Sequence, residues 1–133
     1  MKRTFSGRAA AVSTLLLLFA LTGCREVVTV DRLYQRVLIN DFSAPVRTLL
    51  PPVGYQPYSI TIRVSGTVSQ PVLLAVDLLA PGRGRSRVRR DTLAAGTYTG
   101  KTFKGDYYSK EETELVVTGS PGASGSLTIE WYR

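Results

Sequence analysis

The chain has 133 residues with one cysteine and no histidine, and its 17 basic residues stand against 10 acidic ones. Without imidazole, and with a single thiol, Ser-His-Asp and Cys-His catalysis and almost every zinc or copper site are excluded. The length suits one domain with a core that needs no disulfide.

Lys2, Arg3 and Arg8 open the chain, and a nearly unbroken apolar stretch follows from Ala9 to Leu21. That stretch is too short to span a hydrocarbon core, which takes about twenty helical residues. A basic start, a short apolar run and small residues at its end make a secretory signal peptide. The segment closes on Leu21-Thr22-Gly23-Cys24, which resembles the lipobox of bacterial lipoproteins. The resemblance implies a diacylglyceryl group on the Cys24 thiol, removal of residues 1–23 and a mature chain that starts at Cys24. The cysteine count supports it independently, since a lone exported cysteine has no disulfide partner. Two acyl chains give a stable membrane anchor where one does not, and no cofactor beyond this covalent lipid is expected. Residue 25 is Arg. Aspartate at that place favours inner-membrane retention in enterobacterial lipoproteins, so the resemblance implies the outer membrane.

The signal peptide takes three basic residues with it. The mature domain, residues 24–133, therefore carries 14 basic and 10 acidic residues, a charge of +4. Residues 26–42 supply one or two strands. Residues 43–58 hold four prolines, too many for a helix or a central strand, and read as a long crossing between sheets. Ile60, Ile62 and Val64 then alternate with Thr61 and Arg63; Val72, Leu74, Val76 and Leu78 repeat the pattern, with Leu73 and Leu79 opposite. Thr113, Leu115 and Val117, and finally Leu127, Ile129 and Trp131, do the same. Period-two runs rich in Val, Ile and Thr between Gly, Pro and Ser are strands and turns. Residues 65–71 read as a hairpin turn, and residues 119–126 link the last two strands. These elements predict an all-β antiparallel sandwich of seven or eight strands, immunoglobulin-like or jelly-roll, with a closed barrel as the alternative.

Between the second and third of these runs lies Pro-Gly-Arg-Gly-Arg-Ser-Arg-Val-Arg-Arg-Asp, residues 81–91. Drawn as a regular strand it puts Arg83, Arg85, Arg87 and Arg89 on one face, about 6–7 Å apart, and Arg90 on the other. Such a row suits anionic headgroups, lipopolysaccharide phosphates or the acidic face of an envelope protein, at about 1 kcal/mol per cation near a charged membrane. A solvated hairpin tip whose arginines discourage edge pairing reads equally well. An exported domain of +4 without a reader motif points away from nucleic acid.

Tyr98, Tyr107, Tyr108 and Tyr132 form the aromatic set. Tyr107 and Tyr108 sit at a turn where flat rings could stack on sugar, although one tyrosine plugging the core with its hydroxyl tied to a loop fits the pattern better. Trp131 reads as core. A carboxylate pair for hydrolysis would have to come from Asp106 with Glu111, Glu112 or Glu114, and no EF-hand loop marks a calcium site. Asp106-Tyr107-Tyr108-Ser109, followed by Gly125, Leu127, Ile129 and Trp131, resembles the C-terminal part of small exported β-sandwich lipoproteins of Bacteroidota. There the turn reads Asp-Trp-Tyr-Ser; here Tyr107 replaces the Trp. The resemblance implies fold and compartment. The expectation is a membrane-anchored, non-catalytic envelope module for binding, assembly or structure, with a sugar-binding module or a carboxylate hydrolase as alternatives. Exposed edge strands leave strand exchange between copies open.

Overall fold

The computed structural model describes residues 34–133, and among them there is no helix. Eight strands follow one another: β1 Tyr34–Ile39, β2 Val46–Leu50, β3 Ser59–Val68, β4 Val72–Ala80, β5 Gly84–Leu93, β6 Gly96–Asp106, β7 Glu112–Gly119 and β8 Gly125–Tyr132. They form two four-stranded antiparallel sheets, ordered β1-β8-β3-β6 and β2-β7-β4-β5. Of the seven connections only β4 to β5 is a hairpin within one sheet; every other crosses to the opposite sheet. That order, two interlocked Greek keys folded face to face, is a jelly roll, the second of the two sandwich arrangements expected.

The alternating apolar residues meet between the sheets. Ile60, Ile62, Val64, Leu127, Ile129 and Trp131 from one sheet pack on Val72, Leu74, Val76, Leu115 and Val117 from the other, all essentially inaccessible. Trp131 is core, as its place in the alternation predicts.

Two sequence expectations are corrected. Residues 65–71 do not turn a hairpin: β3 and β4 lie in different sheets, and Ser69–Pro71 is a corner. The β7–β8 link turns a second corner beside it, and Ser69 N donates to Ser124 O at 2.9 Å while Ser120 N donates to Pro71 O at 2.9 Å. Short links suffice because packed sheets lie only about 10 Å apart. The proline-rich segment, expected as loop throughout, contains β2 before the crossing; β2 is an edge strand, which tolerates prolines at its ends.

The two central strands β3 and β8 approach closely at Gly66 and Gly125. Both have positive φ, 120° and 123°. A Cβ on Gly66 would collide with Ser126 O, and one on Gly125 with Thr67 O. Only glycine fits this reciprocal contact.

The sandwich has two ends. One, the lower, collects the start of β1 and the loops 51–58, 81–83 and 107–111; the upper collects the loops 40–45, 69–71, 94–95 and 120–124.

Candidate functional site

The arginine run builds β5, an edge strand paired with β4. Its ladder slips by one residue: Val76 faces Arg89 and Asp77 faces Arg87, so Val88 is a bulge. A bulge reverses the alternation beyond it. The single-face row is therefore corrected. Arg85 and Arg87 lie over the outer face of their sheet, where they reach the carboxylates of Asp77 and Glu114, whereas Arg89 turns to the sandwich's open edge.

Asp77 and Glu114 occupy adjacent positions on β4 and β7. Both are buried, although they stand on the sheet's outer face, beside buried Ala75 and Val116. Arginine side chains roof them. Arg87 Nε donates to Asp77 Oδ1 at 2.7 Å and its Nη2 to Oδ2 at 3.1 Å, a bidentate fork. Arg85 Nη2 lies 2.7 Å from Glu114 Oε2, and Arg47 Nη1 donates to the same oxygen at 2.9 Å. The Arg87 hydrogen bonds hold the Asp77 carboxyl below the usual carboxylate range, against the opposing effect of burial, and raise Arg87 in turn. Arg89 pairs with Asp91 and lies across Gly105 of β6, where a Cβ would occupy its guanidinium. Three of the four predicted binding arginines thus neutralise the domain's own acids. Arg83, in the turn, and Arg90 have no ion pair among the described residues.

The tyrosine turn divides. Tyr107 is 5 % exposed, and its hydroxyl lies 2.5 Å from Thr113 Oγ1. The stacking role is corrected for Tyr107: its ring belongs to the interior. Tyr108, 62 % exposed, meets Tyr58, 72 % exposed, edge to face, with ring centroids 6.4 Å apart and planes at 82°. The β3–β6 pairing places them together, and Tyr107 N donates to Tyr58 O at 3.2 Å just beyond it. Gln56 Nε2 donates to Tyr108 O, tying the 51–58 loop beneath the pair. Sequence reading missed Tyr58, because nothing local to a proline-rich loop reveals which distant turn it will meet. Tyr98 is half-buried, its hydroxyl donating to Ala94 O at 2.7 Å, with Lys101 Nζ 5.3 Å from its ring. Tyr132 lies half-buried in β8.

Arg133 was not singled out from sequence, and it organises this same end. Buried, it donates through Nη1 to Glu111 O and Thr113 Oγ1 and through Nη2 to Pro51 O, while the guanidinium carbon sits 5.8 Å from the Tyr107 ring. Tyr55 OH donates to Arg133 O at 3.1 Å. One guanidinium therefore fastens the 51–58 loop to the 107–111 loop.

Of the carboxylates considered for hydrolysis, Asp106 and Glu114 stand apart, while Glu111 and Glu112 share a cleft. Glu114 is committed to Arg47 and Arg85 on the sheet face, and Asp106 is exposed at the end of β6. Glu111 and Glu112 line an open cleft of about 530 Å³ with Pro52, Leu79, Pro81 and Arg85. Among the described residues no three His, Cys, Asp or Glu side chains cluster as metal ligands would. Cys24 and residues 1–23, where a signal peptide is expected, lie outside the described residues.

No protein-family model matches the chain, and no curated protein does. Among solved structures it is similar to the crystal structure of PirA, with a TM-score of 0.50 and 10 % identity over 76 % of this chain and 94 % of that one. The structure of infectious bursal disease virus Gx strain also aligns, at a TM-score of 0.24 and 14 % identity, over 73 % of this chain and 33 % of that one. The PirA likeness is one of fold.

Proposed function

We propose that the chain is a lipid-anchored, non-catalytic binding module of a bacterial envelope, held to the membrane, with the outer membrane favoured, by acyl chains on Cys24. The observation that carries this reading is the Leu21-Thr22-Gly23-Cys24 motif, bearing the only cysteine, ten positions before the first strand of the sandwich. At roughly 3.3–3.6 Å per residue, those ten steps reach at most about 35 Å. The domain is thereby kept at the bilayer surface. A binding role is supported by how the ionisable groups are used: Asp77, Glu114 and Asp91 serve arginines of the same domain, while the exposed rings are tyrosines at one end.

Fractionation of cells expressing the Cys24→Ser chain tests the reading. The unsubstituted protein is expected in the membrane fraction and to incorporate labelled fatty acid; the variant is expected in neither state. A variant that still fractionates with membranes would overturn the anchor. Crosslinking in intact envelopes then identifies what the module holds.

A further inference from the structure

The lower end of the sandwich differs chemically from the upper end. Tyr58 and Tyr108, the two most exposed tyrosines, both project there. Arg83 and Lys110 are exposed at the same end, and neither side chain has an ion pair among the described residues. The carboxylates of Asp106, Glu111 and Glu112 lie at this end too, likewise without one, so the tyrosine pair and not net charge sets the end apart. The upper loops contain no lysine, arginine or tyrosine, and their one charged residue is Asp41.

The lower end is also where the chain enters, because Tyr34 opens β1 opposite Tyr132, and Tyr132 lies opposite Thr61 at the start of β3. For the upper end to touch the bilayer, the lead from Cys24 would have to run back along the sandwich. The ten-residue β3 alone is roughly 33 Å long, nearly the whole reach of that lead at full extension. Chain entropy therefore favours the lower end facing the membrane. Amphipathic tyrosine rings partition to the headgroup level of bilayers, and lysine and arginine gain near anionic headgroups.

Resting on the lipid-anchor reading, we propose that the lower end is a membrane-docking surface. Tyr58 and Tyr108 seat in the headgroup layer of the bilayer that holds Cys24, and Arg83 and Lys110 lie against its anionic phosphates. Docking fixes the sandwich upright, with the 40–45 and 120–124 loops turned away from the bilayer.

Tryptophan fluorescence of the full-length, acylated protein in phosphatidylethanolamine–phosphatidylglycerol vesicles tests this. Trp131 is the only native tryptophan and is fully buried, so its emission is a constant background. In Tyr108→Trp, the new emission is expected to shift to the blue and to be quenched by lipids brominated near the headgroup. Ser120→Trp, in the upper loops, is expected to show neither. Equal quenching at both positions, or at neither, overturns the docking. Co-flotation of the same preparation reads the anchor separately: vesicles that float without the protein refute the anchor, whereas flotation with unquenched Trp at 108 refutes docking alone. For the unacylated Cys24→Ser chain, Arg83→Ser and Lys110→Ser should each weaken binding to anionic vesicles about fivefold; unchanged binding counts against the surface. A Tyr108→Trp emission that answers to soluble glycans and not to bilayers would make the tyrosine pair a sugar platform and overturn the proposal.

Discussion

At Asp77 a carboxylate is buried on what would ordinarily be the wet face of a sheet, and Arg87 keeps it ionised. Its folded pKa lies below the unfolded value. The stabilisation is therefore complete above the unfolded value of about 4 and is lost as pH falls through the folded one. An acid titration followed by circular dichroism should show unfolding only below about pH 4. Arg87→Ala removes the fork and leaves the buried carboxylate only the more distant Arg85, 3.7 Å away, so its acid transition should move to higher pH and its thermal midpoint should fall. Asp77→Leu with Arg87→Leu should recover much of that midpoint, because an apolar pair carries no desolvation cost. If the double variant melts as low as the single one, Asp77 is not paying for its burial through Arg87. At Gly66 the constraint is steric. Gly66→Ala must hold a side chain at φ 120° against Ser126 O; strain of about 1–3 kcal/mol should lower the midpoint by at least roughly 4 °C. A midpoint within a degree of the parent would contradict the β3–β8 approach described. Arg133→Met strands the Pro51 carbonyl beneath the lower loops, at a cost of about 1–3 kcal/mol, while Glu111 O keeps the Thr113 hydroxyl as donor. Hydrogen exchange at the Val53 and Tyr107 amides, which bridge to Lys110 O and Tyr58 O, should accelerate selectively.

Among the strands, the arginine run makes the sharpest comparison. Deleting Val88 removes the bulge and leaves Asp77 opposite Arg87 and Val76 opposite Arg89, as before. Deleting Ser86 instead brings Arg85 opposite Leu78, a position that faces the core side of β4. Thermal melts should find the Val88 deletion tolerated and the Ser86 deletion strongly destabilised; the reverse order would refute the register. The strands most legible in the sequence are β3, β4, β7 and β8, and these are the central pair of each sheet. A central strand packs against two neighbours and buries a full strip of every second residue, so its alternation is strict. The edge strands β1, β2, β5 and β6 have one neighbour each and carry the arginines, prolines and glycines that blur the period. Within the candidate site, the tyrosine turn was legible from Tyr107 and Tyr108, but not which ring is buried. Nor was the Tyr58 contact, which depends on a pairing between strands far apart in the chain. The arginine row failed for a definite reason: alternation assumes no bulge, and one extra residue reverses it.

For the whole molecule, the buried acids Asp77 and Glu114 are matched within the domain. Exposed cations such as Arg63, Arg90, Lys101 and Lys104 stand on the strands without an ion pair among the described residues, and the most exposed tyrosines lie at the end where the chain enters. The positive excess that first suggests an anionic macromolecule as partner divides into Lys2, Arg3 and Arg8 of the N-terminal segment, a set of ion pairs with Asp77, Glu114 and Asp91, and several exposed cations. Replacing Arg85 and Arg87 with serine should therefore lower stability before it changes any binding, and a variant with a parental melt and lost binding would reverse that assignment. The proposed membrane role depends on the anchor. The most direct measurement is the intact mass of the protein extracted from bacterial membranes, with fragmentation of its N-terminal peptide. The account predicts a chain that begins at Cys24, heavier than residues 24–133 by a diacylglyceryl group, with or without a further acyl chain on its amine. A chain that retains residues 1–23, or one that begins at Cys24 with an unmodified thiol, would contradict it.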